Sequence, residues 1–277
     1  NAKGSGYYFY ETTKAFYFRS VENMIANQST DPRKPIRVFK YERPTSTPSL
    51  GARRFNVQRT NVIEYRFLQH FNTLTNQALG TYASNVITYN IFDKSYDSKR
   101  YKYHDHYQRH MHTDTDKELP ETKRSYPIAQ NPVDREAKEG NAIGDKTVSD
   151  FPESRIVLQP STRFLHNDDT GVFGTSTESE GMTEAIRISQ RNQVSNSTRL
   201  ELVVSGASEL EVGDMIEFDM PIMTPDGESS QDYRGDSKYS GRYLITKLRH
   251  RVMGNSYRQV IHCIKDSVVT NHTENIG

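Results

Sequence analysis

The stretch HDHYQRHMH places His104, His106, His110 and His112 within nine residues, and imidazole is the commonest nitrogen ligand for zinc. Their spacing fits neither an HExxH helix nor a closed Cys/His set, and they open the wettest part of the chain. A solvated loop is the expectation, with no metal. In LHNDDTG, Asp168 and Asp169 could pass for paired acids, but adjacent turn residues point apart, and turn formation accounts for both. His262 and Cys263 are a base and a nucleophile only in spelling, because neighbours on a strand project to opposite faces. The dinucleotide, phosphate-loop and GxSxG patterns are absent. No catalytic, cofactor-binding or metal residue is expected, no cofactor, and no enzyme.

A second kind of chemistry is written into SGRYLITKLRHRV, residues 240–252. Its even positions, Leu244, Thr246, Leu248 and Val252, mostly suit a dry face. The odd positions run Tyr243, Ile245 and then Lys247, Arg249, Arg251. With Arg242 and Arg258 near the same hairpin, this row could attract phosphate backbones. It could equally answer carboxylates such as Glu201, Glu209, Glu211 and Glu217 on neighbouring strands or on another subunit. Arg242, Lys247, Arg249, Arg251 and Arg258 are therefore the candidate interaction residues.

Whole-chain numbers constrain what can carry them. The 277 residues suffice for one large domain or two ordinary ones. Hydrophobic content is low at 34% and Trp is absent, but 17 Tyr and 12 Phe restore burial capacity. The 36 basic and 35 acidic residues nearly cancel, so only a local patch could recruit nucleic acid. A single Cys excludes an internal disulfide and a cysteine-rich zinc module. No run approaches the ~18 apolar residues of a membrane-spanning helix, so no membrane insertion is expected. The start, NAKGSGYYFYETTKAFYF, is no signal peptide and lacks Met, which suggests part of a longer product.

The elements follow from local patterns. YYFYETTKAFYF, residues 7–18, reads as two aromatic strands around a polar turn. A helix follows from Ser20, capped by its hydroxyl, with Val21, Met24 and Ile25 at helical spacing. IRVFKY, residues 36–41, is a strand, and Pro44 with TSTPSLG marks a link. Ile63, Phe67, Phe71, Leu74 and Ala78 predict one helix over 61–79, ended by Gly80. Residues 84–103 read as a strand, a bend near Asp93 and Asp97, and a second extended piece. From 105 to 153 the chain is nearly bare of aliphatic residues, a long surface excursion. RIVLQ resumes sheet, and 181–195 is helical with Met182, Ala185, Ile186 and Ser189 on its buried side. Strands RLELVVSG, ELEVGDMIEFDMP, SGRYLITKLRHRV and SYRQVIHCIKD close the chain, turning at Gly254-Asn255.

The fold class is accordingly α+β, mainly β: small tube-like β-barrel domains with a few packing helices and long surface loops. Three segments are expected: a strand- and helix-rich body over 1–104, the polar excursion over 105–153, and a carboxy-terminal β-barrel with one helix over 154–277.

The order GMTEAIRISQRNQVSNSTRLELVVSGASELEVGDMIEF, a Gly/Asp-rich loop, SGRYLITKLRHRV and QVIHCIKDS resembles the carboxy-terminal half of the central baseplate hub proteins of contractile-tailed bacteriophages, the T-even-like hub family. GYYFYETTKAFYFRSVENMI resembles that family's strand-turn-strand-helix, LGTYASNVITYNIFDKSYDSKRYKY its long bent strand, and SRIVLQPSTRFLHNDD its next strand and loop. The family's first barrel would stand before residue 1.

The resemblance implies a structural virion protein of the tail baseplate. Three copies would form a pseudo-sixfold ring joining the sixfold tail tube, or a tube-initiator protein, to the threefold central spike. Tape-measure protein and DNA would pass through its channel. One row of SGRYLITKLRHRV would then face the barrel core and the other a neighbour or the channel. Two alternatives from other classes stand beside it. One is a nucleic-acid-binding β-barrel using the basic row. The other is a phage-borne cell-wall hydrolase, for which Asp168 or His166 would have to act.

Overall fold

Two aromatic strands, β1 (Tyr7–Glu11) and β2 (Phe16–Ser20), pair antiparallel from Tyr7 opposite Ser20 to Glu11 opposite Phe16. Thr12 N–H donates to the Ala15 carbonyl at 3.0 Å and closes the turn. Ser20 then caps helix α1 (Val21–Asn27), its Oγ accepting from Asn23 N–H at 3.2 Å, and Met24 and Ile25 are buried. In the computed structural model the residues described are 6–27, 36–41, 62–70, 73–90, 94–107, 110–114, 151–161, 180–220 and 239–267. They fall into two units that interleave along the chain.

The first unit takes in Asn1–Phe71, Met111–Pro127 and Ser197–Gly277. Its main element is a curled half-barrel sheet built from β3 (Arg37–Lys40), β4 (Val62–Gln69), β8 (Thr198–Ser205), β9 (Met215–Asp219), β10 (Gly241–Met253) and β11 (Ser256–Lys265). The strand order is β3-β9-β10-β11-β8-β4, antiparallel except where β3 meets β9. Alternate residues of these strands supply a dry core that includes Phe39, Leu200, Leu202, Phe218, Tyr243 and Ile261. The mainly β class read from the sequence is the class observed.

The helix predicted over 61–79 is corrected. Residues 62–69 are β4, and only α2 (Thr73–Ala78) is helical. VIEYRFLQ is rich in β-branched and aromatic residues and pairs with β8, where burial along a sheet outweighs an isolated helical stripe. Register shifts at Val62/Glu64 and Phe67/Gln69 interrupt the alternation. The inward residues are then Val62, Tyr65 and Phe67, so the four-residue step from Ile63 to Phe67 joins an exposed side chain to one on the core and has no helical meaning. Ile63 and Leu74, assigned to the buried stripe, are exposed. Gly80 does end α2: at φ +79° it lets Thr81 N–H reach the Asn76 carbonyl at 2.9 Å, and its own N–H reaches Gln77 at 3.0 Å.

The second unit comprises Asn72–His110 and Ile128–Asn196. β5 (Ala83–Tyr89) and β6 (Tyr96–Lys102) form the expected bent pair, although Asp97 lies inside β6 and not in the bend. β7 (Ile156–Pro160) adds parallel to β5, giving the order β6-β5-β7. The short helix α3 (Tyr103–Tyr107) continues from β6. Helix α4 (Glu180–Asn196) buries Gly181, Ala185, Ile188, Ser189 and Asn192. Ala185 and Ser189 match the sequence reading; Met182 and Ile186 are only half-buried, and Ile188 is buried in their stead. The small side chains permit close approach: Ser189 Oγ donates to the Thr81 carbonyl at 2.7 Å and accepts from Tyr101 at 3.1 Å.

Candidate interaction face of the six-stranded sheet

The long hairpin β10–β11 turns at Gly254-Asn255, where Gly254 at φ +54° meets the left-handed requirement of a two-residue hairpin turn. A register shift between Ile245 and Lys247 changes the phase of β10. Before it, the odd residues Tyr243 and Ile245 lie in the core; after it, the even residue Leu248 packs there and Lys247, Arg249 and Arg251 are exposed on the other face. The single dry even row expected from sequence is thus replaced by a row that crosses over at Thr246, and Val252 near the tip is open to solvent. The mixed odd row has this bulge as its cause.

On that outer face Lys247 stands opposite His262, Arg249 opposite Val260, and Arg251 opposite Arg258. β8 continues the rows with Glu201 beside His262, Val203 beside Val260 and Ser205 beside Arg258. Among the described residues, Lys247, Arg249, Arg251 and Arg258 have no ion-pair partner. Three of the four carboxylates proposed to answer them are engaged elsewhere, and the fourth, Glu217, stands opposite Arg242. Glu201 accepts from Arg66 at 3.0 Å and lies 3.4 Å from His262 Nε2; Glu209 pairs with Arg37; Glu211 is buried and bonded to Thr13 and Lys14. His262 has its pKa lowered, first by partial burial and then, against the pull of Glu201, by Lys247, Arg249 and Arg66. Burial is thus the leading cause, and the three cations add to it.

Arg242 belongs to a different stretch. It stands on β10 before the bulge, opposite Glu217 on β9, and its backbone N–H donates to Asp114 Oδ1 at 2.7 Å. By strand rise it is roughly 16 Å from Lys247. The structure brings four of the five candidate residues together and sets Arg242 apart.

A second constellation was not legible in the sequence. His112, expected in a solvated loop, is 3% exposed, and its Nδ1 lies 2.8 Å from Asp266 Oδ2. Asp266 Oδ1 accepts from Thr113 N–H and Thr113 Oγ1, both at 2.9 Å. Next to it, Lys265 Nζ reaches Asp114 Oδ2 at 2.9 Å, donates to the Ser240 carbonyl and lies over the Tyr243 ring. Residues 112–114 are thereby strapped to the end of β11 by groups withdrawn from water. The partners are 154 residues apart, and spacing within a short window carries no trace of such a pair.

Burial alone would raise the Asp266 pKa, but the His112 charge and the hydrogen bonds from His112 and Thr113 outweigh it and hold the carboxyl below its usual range. A depressed carboxyl stabilises the fold above its unfolded pKa and loses that contribution as pH falls through the folded one. Thermal melts should therefore show stability dropping as pH passes below the ordinary carboxylate range, and Asp266→Asn should flatten that acid limb.

Two other histidines of the cluster meet separate partners. His106 stacks on Tyr101 with centroids 5.0 Å apart, and His110 Nδ1 lies 3.1 Å from Gln190. No cluster of metal-ligating side chains is found among the described residues. Cys263 is buried, with its thiol pKa raised by burial, while His262 faces the other way toward Glu201. His166, Asp168 and Asp169 lie outside the described residues, as do 115–150 within the polar excursion.

The fold and this face define a mainly β chain with a charged sheet surface. No protein-family model matches it, and no curated protein does. Among solved structures it is similar to the tail protein from Neisseria meningitidis MC58, at 8% identity and a TM-score of 0.34, over 86% of this chain and 46% of that one. The chain thus spans less than half the length of that protein.

Proposed function

We propose that the chain is a structural virion protein of a phage tail: a homotrimeric baseplate hub that couples a sixfold tail tube to a threefold spike. The observation that carries this reading, beside the sequence resemblance, is the outer face of the β1–β2 hairpin. Phe9, Phe16 and Phe18 are 71%, 66% and 68% exposed, and the rings stack across the strands, Tyr7 on Phe18 at 5.2 Å and Phe9 on Phe16 at 5.8 Å. Four aligned aromatics form an apolar surface, and apolar surface of this kind gains most when a partner removes it from water. Cyclic assembly would supply that cover through repeated heterologous contacts. Tube, spike and tape-measure proteins are the further partners of this reading.

Light scattering coupled to gel filtration tests it at micromolar concentration. A trimer is expected, and Phe9→Ser with Phe16→Ser and Phe18→Ser should return it to monomer. A wild-type chain that is monomeric and turns over a cell-wall substrate would overturn the proposal.

A further inference from the structure

Strand architecture gives a reason for three of the four cations of the outer face and none for the fourth. β10 beyond Ile245 has no neighbour on its β9 side among the described residues, and charge on an exposed edge is a familiar defence against unwanted strand pairing. That accounts for Lys247, Arg249 and Arg251. It does not account for Arg258, because β11 is an interior strand, paired with β10 on one side and β8 on the other. Arg258 lies directly opposite Arg251, and like charges in that position destabilise a sheet. The pair is costly unless an anion lies across it.

We propose that the outer face of β10–β11 binds the phosphodiester backbone of a nucleic acid duplex without reading its sequence. Every second residue of a strand advances about 6.8 Å, so Lys247, Arg249 and Arg251 form a straight row of regularly spaced positive charge, with Arg258 alongside. A regular row suits a linear polyanion. Among the described residues, the outer positions of β8, of β11 and of β10 beyond its bulge carry no Phe, Tyr or Trp ring. Base stacking of the kind that holds single strands is therefore missing, and phosphate contact is what remains. His262 adds little charge at neutral pH, because its partial burial lowers its pKa, with Lys247, Arg249 and Arg66 adding to that against the pull of Glu201. This site is independent of the trimeric reading and can fail or stand separately from it.

Anisotropy of a labelled ~20-bp duplex, titrated with the 277-residue chain, tests the site. Four phosphate contacts predict a log–log salt slope of about −3.6, or roughly 150-fold weaker binding at 200 mM than at 50 mM salt. Arg251→Gln with Arg258→Gln should about halve that slope. It should also leave the melting temperature unchanged or higher, since it removes an opposed like-charge pair. Lys247→Gln with Arg249→Gln should act alike on the slope and serves as the second variant. A slope near zero, or one that neither variant changes, overturns the site. So does polyglutamate competing as well as duplex at equal charge concentration, which would point to an acidic protein surface.

Discussion

Lys265→Met should lower the stability of the chain by about 3–5 kcal/mol at neutral pH, because it leaves the Asp114 carboxylate buried without its counter-charge. Lys265 and Asp114 are 1% and 4% exposed and 2.9 Å apart, so water cannot replace the lost ammonium. Asp114→Asn in the same chain should recover most of the loss, since the amide carries no charge and can keep the acceptor that Arg242 N–H uses. The pH dependence has a defined sign. Burial raises the Asp114 pKa even against Lys265. A carboxyl with a raised folded pKa takes up its proton more readily in the folded state, so its penalty shrinks as pH falls. The deficit of Lys265→Met measured by urea unfolding should therefore narrow on acidification. A deficit that is constant with pH would show that Asp114 is not the group left stranded.

Phe218→Ala should cost a similar ~3–5 kcal/mol, by loss of buried surface and the cavity left behind. Its ring is fully buried, with Tyr65 at 5.7 Å and Tyr243 at 6.4 Å between centroids. Phe18→Ala provides the contrast. Phe18 is mostly exposed and stacks only on Tyr7 among the described rings, so folding should lose less than about 1 kcal/mol. Self-association should suffer instead. Equal losses of stability from the two variants, by thermal or urea melts, would contradict this division between core and contact surface.

The parts of the fold readable from sequence are those whose signals are local. The aromatic alternation of β1 and β2, Ser20 before α1, Gly80 after α2 and the Gly254 turn each act through backbone geometry or face-to-face alternation. Misreadings arise where a local signal is altered by a distant partner. β4 looks helical because Ile63 and Phe67 stand four apart, and only pairing with β8, far along the chain, shows that Ile63 is exposed while Phe67 packs on the core. The phase change at Thr246 likewise depends on pairing with His262 and Cys263. Of the candidate site, the residue types of the basic row were plain from the start. Their separation from Arg242, and the prior engagement of Glu201, Glu209 and Glu211, required the strand order. The strap of His112, Asp114, Lys265 and Asp266 left no sign in any short window, since each residue alone reads as a polar side chain in contact with water.

The pairing of β4 with β8 has a consequence for how the chain comes to exist. Val62–Gln69 can find its neighbour only after Thr198–Ser205 has left the ribosome, and β10 and β11 follow later still. While residues 70–205 are being made the chain carries β4 without its partner, and pairings across so much sequence form slowly. A nascent product stalled before residue 198 should be a client for chaperones or proteases, which makes emergence of β8 to β11 the quality gate for this fold.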